Sequence, residues 1–121
     1  MKSYTDLEQS RKLKNILPLE SADMHYIIMG GDEDPQTIVG LGEYIGILPT
    51  IPAWSLSALI ELLPDKITIN NESYYLSFDK KSIAFRGPIS WDGQKSKSFE
   101  MDDILDAAFE MICWLKENKK I

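Results

Sequence analysis

The sequence predicts a single α+β domain over residues 1–121, in which an antiparallel sheet of about three to four strands packs against about three helices. One observation is the segment PAWSLSALIELLP at 52–64, an apolar helical repeat bounded by prolines. A second is the next segment, KITINNESYYLSFDKKSIAFR, whose strand-forming runs and two turn signals indicate an antiparallel meander. Finally, 44% hydrophobic and 26% charged residues are typical of a globular chain.

The first helix is expected soon after the N-terminus. The residues from Thr5 to Glu8 have the spacing of a capping box, in which each of these two side chains accepts from the other's backbone amide. Leu13 and Leu17 then lie on one apolar face, and Pro18 ends the helix because proline disfavours helical geometry in the residue before it.

A strand is predicted at Met24–Met29 from its aromatic and β-branched content, and two glycines stop it. The segment Gly31–Thr50 is the hardest to interpret, because glycine and proline interrupt every pattern in it. It holds a short strand or a helical turn around Ile38–Ile45. The pairing of the first strand with the meander stays open.

The middle helix has clear boundaries. Ser55 is a good N-cap, and Pro64 stops the helix. The sequence after Pro64 predicts three strands, with turns at Asn70-Asn71 and at residues 79–81. These strands are Lys66–Asn70, Ser73–Asp79 and Ser82–Arg86.

Beyond the meander we expect a loop and one more helix. Gly87-Pro88 closes the meander, and Ile89–Lys97 reads as a polar loop that contains Trp91. The last helix opens at Asp102, since aspartates are favourable near the positive end of a helix. Its apolar stripe, predicted to be buried, runs through Ile104, Ala108, Met111, Ile112 and Leu115.

Charge is unevenly distributed along the chain. There are 13 basic and 19 acidic residues, and the net charge is −6. No Lys or Arg lies between Asn15 and Asp65, while eight acidic residues do. Because clustered cations are needed to meet a phosphate backbone, no nucleic acid partner is expected, and a basic protein surface suits the acidic half better.

No cofactor or metal site is predicted. The glycines of GLGEYIG at 40–46 do not match the dinucleotide fingerprint, and no phosphate-cradling GKS or GKT is present. Asp32, Glu33 and Asp34 lack the alternating ligands and central glycine of a calcium loop. His25 is the single histidine, so a two-histidine metal site is excluded.

Two residues carry the enzymatic alternative. On a strand, Asp23 and His25 share one side, so Asp23 could orient His25 as a general base in a small hydrolase or isomerase. No nucleophile is identified beside them. Cys113 lies on the last helix without basic neighbours, which indicates a core or boundary cysteine.

The leading functional hypothesis is a non-enzymatic protein-interaction or accessory domain. Its candidate contact groups are the carboxylates of Asp32, Glu33 and Asp34, with Trp91 as an aromatic anchor, although packing of Trp91 over the sheet edge is an alternative. A separate alternative is a weak contact surface for single-stranded nucleic acid, formed by Tyr75 on the predicted sheet and the Lys80-Lys81 turn. A third function class is an acidic mimic of nucleic acid.

Three segments together show a resemblance. These are EQSRKLKNILPLESADMHY at 8–26, PAWSLSALIELLP at 52–64 and DAAFEMICWL at 106–115. The chain resembles a family of small uncharacterised proteins from gut bacteria, their phages and other mobile elements. The resemblance implies a compact intracellular protein in a phage or mobile-element context, with no catalytic residues to carry over.

A cytoplasmic location is expected. The polar N-terminal segment has no signal-peptide pattern, and no apolar run approaches the length of a membrane span. The lone cysteine excludes an intrachain disulfide. Oligomeric state is not predictable from this sequence.

Overall fold

The computed structural model describes residues 2–27, the backbone of 36–38, and residues 50–121. Within these ranges lie three α-helices, one 3₁₀ turn (Leu19–Ser21) and seven strands. The helices are α1 (Leu7–Lys14), α2 (Leu56–Leu62) and α3 (Ile104–Glu117). The strands are β1 (Met24–Ile27), β2 (Gln36–Ile38), β3 (Thr50–Ala53), β4 (Lys66–Ile69), β5 (Glu72–Phe78), β6 (Ser82–Ser90) and β7 (Gly93–Glu100).

The strands form two antiparallel sheets, which confirms the predicted α+β class. The larger sheet is the meander β4-β5-β6-β7, and the smaller has the order β2-β1-β3. The strand predicted at Met24–Met29 is β1 as far as Ile27, and it pairs with β2 and β3. Its last two predicted residues, and most of the segment Gly31–Thr50, lie outside the described residues.

Turn chemistry sets the register of the first hairpin. Asn70 and Asn71 have φ angles of 50° and 66°. Two consecutive residues with positive φ make the turn type that matches the twist of a two-residue hairpin, and asparagine tolerates this geometry. The predicted Asn70-Asn71 turn is therefore confirmed, and it places Ile69 opposite Glu72.

The predicted end of the meander was wrong. β6 continues through Gly87 and Pro88 to Ser90 and pairs with β7, so the expected polar loop Ile89–Lys97 is the far half of a hairpin. The register shifts between Arg86 and Ile89. A β-bulge there accommodates the proline, because residues at a bulge do not need to donate to the ladder.

The main core lies between the larger sheet and the helices. Helix α3 packs on β6, β7 and α2. Four residues of its predicted stripe are buried, Ala108, Met111, Ile112 and Leu115, whereas Ile104 in the first turn is half-buried. Cys113 lies in this core, and its burial raises the pKa of the thiol. The largest fully buried apolar side chains are Trp54, Phe85, Leu13, Leu59, Ile83, Leu105, Met111, Ile112 and Leu115.

The N-cap of α1 is not the predicted one. Asp6 is the N-cap, accepting from the Gln9 amide at 2.8 Å, while the Gln9 side chain accepts from the Asp6 amide at 3.0 Å. The capping box therefore lies one residue later than the predicted pair Thr5 and Glu8. The reason is that the Thr5 hydroxyl is needed in the core.

Thr5 is the centre of a buried polar network. Its Oγ1 accepts from the Trp54 amide at 3.1 Å and lies 2.7 Å from Ser10 Oγ. Its carbonyl accepts from the Tyr26 hydroxyl at 2.8 Å, and its own amide donates to the Trp54 carbonyl at 2.9 Å. Thr5 and Ser10 are fully buried. One residue thus joins the N-terminal segment to α1, β1 and the start of α2.

A partly exposed ionic cluster ties the N-terminus to α3. Lys2 Nζ lies 2.8 Å from Asp106 Oδ1, which also accepts from Gln9 Nε2 at 2.8 Å. Desolvation pushes the pKa of Asp106 upward, but the hydrogen bonds from Lys2 and Gln9 and the Lys2 charge outweigh it, so the net pKa is lowered. The hydrogen bond to Asp106 raises the pKa of Lys2.

We expect Thr5→Val to lower the free energy of unfolding by about 1–3 kcal/mol. Valine keeps the shape of threonine but leaves the buried Trp54 amide without its acceptor. The Ser10 hydroxyl loses its 2.7 Å contact with the Thr5 hydroxyl and keeps a longer one, at 3.4 Å, to the carbonyl of residue 5. Urea unfolding followed by circular dichroism measures the change. Thr5→Ser, which keeps the oxygen and loses one methyl group, should cost about 1 kcal/mol.

Thr68→Val is the matched control for this substitution, because Thr68 is exposed on β4. Its effect should stay within about 0.5 kcal/mol. If Thr5→Val is as harmless as Thr68→Val, the buried network does not stabilise the fold.

We expect Asp106→Asn to destabilise the protein near neutral pH and to be close to neutral in strong acid. A carboxylate with a lowered native pKa stabilises the fold above its unfolded pKa of about 3.9, and this contribution is lost as pH falls through the native pKa. The pair is partly exposed, so the neutral-pH cost should be at most about 1 kcal/mol. Urea unfolding of both proteins across pH 2–7 measures it. A difference that stays constant over this range would contradict the assignment.

Candidate partner-binding site on the β6–β7 hairpin

The end of the β6–β7 hairpin extends beyond its pairing with β5. Strand β5 pairs with β6 from Phe78 opposite Ile83 to Tyr75 opposite Arg86. After the bulge, β6 pairs with β7 alone, as far as Ser90 opposite Gly93. The tip of the hairpin is therefore supported by two strands and not by the whole sheet.

Two large apolar side chains lie exposed at this tip. Trp91 is 98% exposed and Ile89 is 79% exposed, whereas Trp54 in the core is 0% exposed. The alternative that Trp91 packs over the sheet edge is therefore wrong. An indole ring in water forgoes the free energy that burial would give it, and the exposure of two large apolar side chains at one tip makes this tip a candidate contact surface.

Polar contacts hold the hairpin end in one conformation. Gln94 Nε2 donates to the Gly87 carbonyl at 3.1 Å, across the bulge. Ser90 Oγ donates to Asp92 and contacts the Gly93 carbonyl at 3.1 Å. Gly93 has a φ of 126°, a conformation that favours glycine. The tip residue Trp91 is thus presented from an ordered turn.

The stem of the hairpin is fastened to β5. Lys95 Nζ lies 2.8 Å from Glu72 Oε1, and this hydrogen bond raises the pKa of Lys95. Gly87 lies over the Tyr74 ring, where an added Cβ would come within 2.6 Å of a ring carbon. Glycine is needed at this position because the rigid ring leaves no room for a side chain.

The other predicted contact groups cannot be placed against this site. Asp32, Glu33 and Asp34 lie outside the described residues. A separate acidic cleft of about 420 Å³ is present, and Glu20, Asp23 and Glu61 line it. Within the described ranges, no group of three or more His, Cys, Asp or Glu residues is arranged to hold a metal ion.

The enzymatic candidates are not hydrogen-bonded to each other in the described part of the chain. The Asp23 carboxylate instead accepts from the Ser55 amide at 2.8 Å and from the Ser55 hydroxyl. Ser55 in turn caps α2 by accepting from the Ala58 amide, as predicted. His25 Nδ1 is buried and finds no hydrogen-bond partner there. Asp23 thus supports a helix cap.

Two features of the surface escaped the sequence interpretation. The exposure of Ile89 was missed because residues 89–97 were predicted to form a loop, whereas Ile89 lies on the end of β6 that pairs with β7 alone. The alignment of Lys66, Tyr75 and Arg86 across three strands was hidden because it depends on register. The alternation of polar and apolar residues along each strand was the available signal, but it does not specify which residues of neighbouring strands lie opposite each other.

The chain matches no protein-family model, no curated protein and no solved structure. Among the described helices, none is both long and apolar enough to cross a membrane.

Proposed function

We propose that this chain is a non-enzymatic, cytoplasmic protein-interaction or accessory domain that binds a protein partner through Trp91. The observation that supports this most is the near-complete exposure of an indole ring at the tip of an ordered hairpin. Tryptophan is among the residues that dominate binding energy at protein interfaces, above all when it fills a pocket on the partner.

The energetics of the hairpin favour such an anchor. A tryptophan buries about 150–250 Å² when it is covered, and each Å² is worth about 25 cal/mol, so the gross gain is about 4–6 kcal/mol. The polar contacts of Ser90 and Gln94 order the turn before binding. Preordering lowers the entropy lost on association.

The proposed partner presents a basic surface around the pocket that receives Trp91. Asp92 follows Trp91 at the tip, and the chain carries a net charge of −6. Complementary charge speeds the encounter of two proteins and fixes their register. Asp32, Glu33 and Asp34 belong to this proposal as further acidic contacts.

The biological setting is proposed on narrower grounds. The three segments that resemble small proteins of gut bacteria, phages and mobile elements support an origin in such an element. The proposed partner is then a phage or host protein. Gene order around the coding sequence tests this setting, which predicts phage or mobile-element genes on at least one side.

We expect Trp91→Ala to weaken partner binding by about 30-fold or more, which corresponds to the 2 kcal/mol or more of an interface hot spot. Quantitative pull-down with immobilised protein identifies the partner, and titration calorimetry with the purified partner measures the affinity. Tyr75→Ala is the matched control, because Tyr75 is an exposed aromatic residue on β5, away from the hairpin tip.

Both variants should keep the stability of the parent protein within about 0.5 kcal/mol, since each removes an exposed side chain. A saturable partner that binds Trp91→Ala as tightly as the parent protein would contradict the proposed anchor. Failure to recover any protein that distinguishes the two variants would contradict the proposed function.

A further inference from the structure

The larger sheet has one face that no described helix covers. The face toward α3 carries Ile67, Tyr74, Ile83 and Phe85, all buried in the main core. Because side chains alternate along a strand, the intervening residues lie on the opposite face. We call this opposite face the open face. It consists of Lys66, Thr68, Ser73, Tyr75, Ser77, Ser82, Ala84, Arg86, Ser96, Ser98 and Glu100.

A cation, an aromatic ring and a second cation line up across this face. Strand register places Lys66 opposite Tyr75, and Tyr75 opposite Arg86. Neighbouring strands are about 4.8 Å apart, so the backbones of the two cations lie about 10 Å apart with the ring between them. Tyr75 is 59% exposed, and both cations are exposed as well.

The surroundings of this row are small and polar. On one side the next row is Ser77, Ala84 and Ser98, and on the other side Thr68 lies opposite Ser73. The Arg86 Nε donates to Ser77 Oγ at 3.2 Å, which orients the guanidinium group. Tyr75 and the two cations are therefore flanked by short side chains, of which all but the buried Ala84 carry a hydroxyl group.

The cations of the open face lie apart from its carboxylates. In the whole chain, acidic residues outnumber basic ones by 19 to 13. At the far end of the face, Glu100 lies opposite Ser82, and Asp79 accepts from Ser82 Oγ at 3.2 Å. The charged side chains in the row of Tyr75 are Lys66 and Arg86, so an anion is the complementary ligand at this row.

An acidic peptide suits this sheet less well than a nucleic acid strand. A peptide would add to a sheet edge, but one inward-pointing lysine protects β7: Lys97 Nζ lies 4.7 Å from the Phe99 ring centroid and 5.4 Å from that of Trp114. The open face itself is flat and offers no apolar groove for peptide side chains. An exposed ring between two cations instead fits a base with phosphates on both sides.

We infer that the open face binds single-stranded nucleic acid, with one base stacked on Tyr75 and the flanking phosphates paired with Lys66 and Arg86. The expectation against a nucleic acid partner was drawn from the stretch Asn15–Asp65, which lacks Lys and Arg. Lys66 and Arg86 lie outside that stretch, and strand pairing brings these two cations to either side of Tyr75. The Ser and Thr hydroxyls around the row serve as further donors to phosphate and sugar oxygens.

Fluorescence anisotropy with a labelled oligothymidylate of about 12 nucleotides tests the inference. We expect a dissociation constant of about 10⁻⁴–10⁻⁶ M at low salt, because the site has few contacts. Two phosphate contacts predict a slope of log K against log salt of about −1.4. A duplex of the same sequence should bind at least about fivefold more weakly, because its bases are not free to stack.

Variants at the three positions separate stacking from charge. Tyr75→Ala should weaken binding by about fivefold to a hundredfold, and Tyr75→Phe should restore it, because both rings stack. Lys66→Gln and Arg86→Gln should each weaken binding and reduce the salt slope to about −0.7. Lys116→Gln is the charge-matched control, since Lys116 is exposed on α3; its slope should remain at the parent value.

Several results would overturn the inference. They are an absence of binding at low salt, an affinity unchanged by Tyr75→Ala, or an equal loss of affinity in Lys116→Gln and Arg86→Gln. Competition by polyglutamate as effective as that by unlabelled oligothymidylate would show a general anion site. Loss of binding in Trp91→Ala, with Tyr75→Ala unaffected, would place the site on the hairpin.

Discussion

The buried hydroxyl of Thr5 is the constraint on which the rest of the scaffold depends. A hydroxyl in a protein core is costly unless its hydrogen bonds are made, and here it meets both the Trp54 amide and Ser10. These bonds are available in one arrangement of the chain, in which the N-terminal segment lies beside the entry to α2. Two segments about fifty residues apart in sequence are thereby held in register.

The segments 8–26, 52–64 and 106–115 meet in this scaffold. Ser21 accepts from the Trp54 indole at 2.9 Å, Asp23 accepts from Ser55, and Gln9 donates to Asp106 at 2.8 Å. These hydrogen bonds join parts of the chain that are distant in sequence. The two proposed binding surfaces lie elsewhere, on strands of the larger sheet. One is an acidic, aromatic hairpin tip and the other a basic open face, so a protein and a nucleic acid strand would occupy different parts of the molecule.

Local signals in the sequence were enough to predict those elements whose ends are determined by neighbouring residues. The Ser55 cap, the Asn70-Asn71 turn and the stripe of α3 are of this kind, because each depends on contacts within a few positions. Features set by distant partners were missed. The local sequence predicts Thr5 as the N-cap of α1. Its hydroxyl instead accepts from the amide of Trp54, a residue about fifty positions away. Gly87 and Pro88 predict the end of a strand, but β6 continues through both residues. It can do so because Gly87 leaves room for the Tyr74 ring and a bulge accommodates Pro88, and neither condition is visible in the local sequence. Trp91 was identified as a candidate, but its exposure followed only from the hairpin.

The backbone amides of Thr5 and Trp54 offer the most direct measurement, by native-state hydrogen exchange. They donate to the Trp54 carbonyl and to Thr5 Oγ1, respectively. If the contacts between Thr5 and Trp54 hold the scaffold together, both amides exchange only through global unfolding. Their opening free energy then equals the free energy of unfolding measured in urea. The amide of Trp91 should then exchange near the rate of an unfolded chain. Exchange of the Trp54 amide through a local opening several kcal/mol below global unfolding would contradict the account.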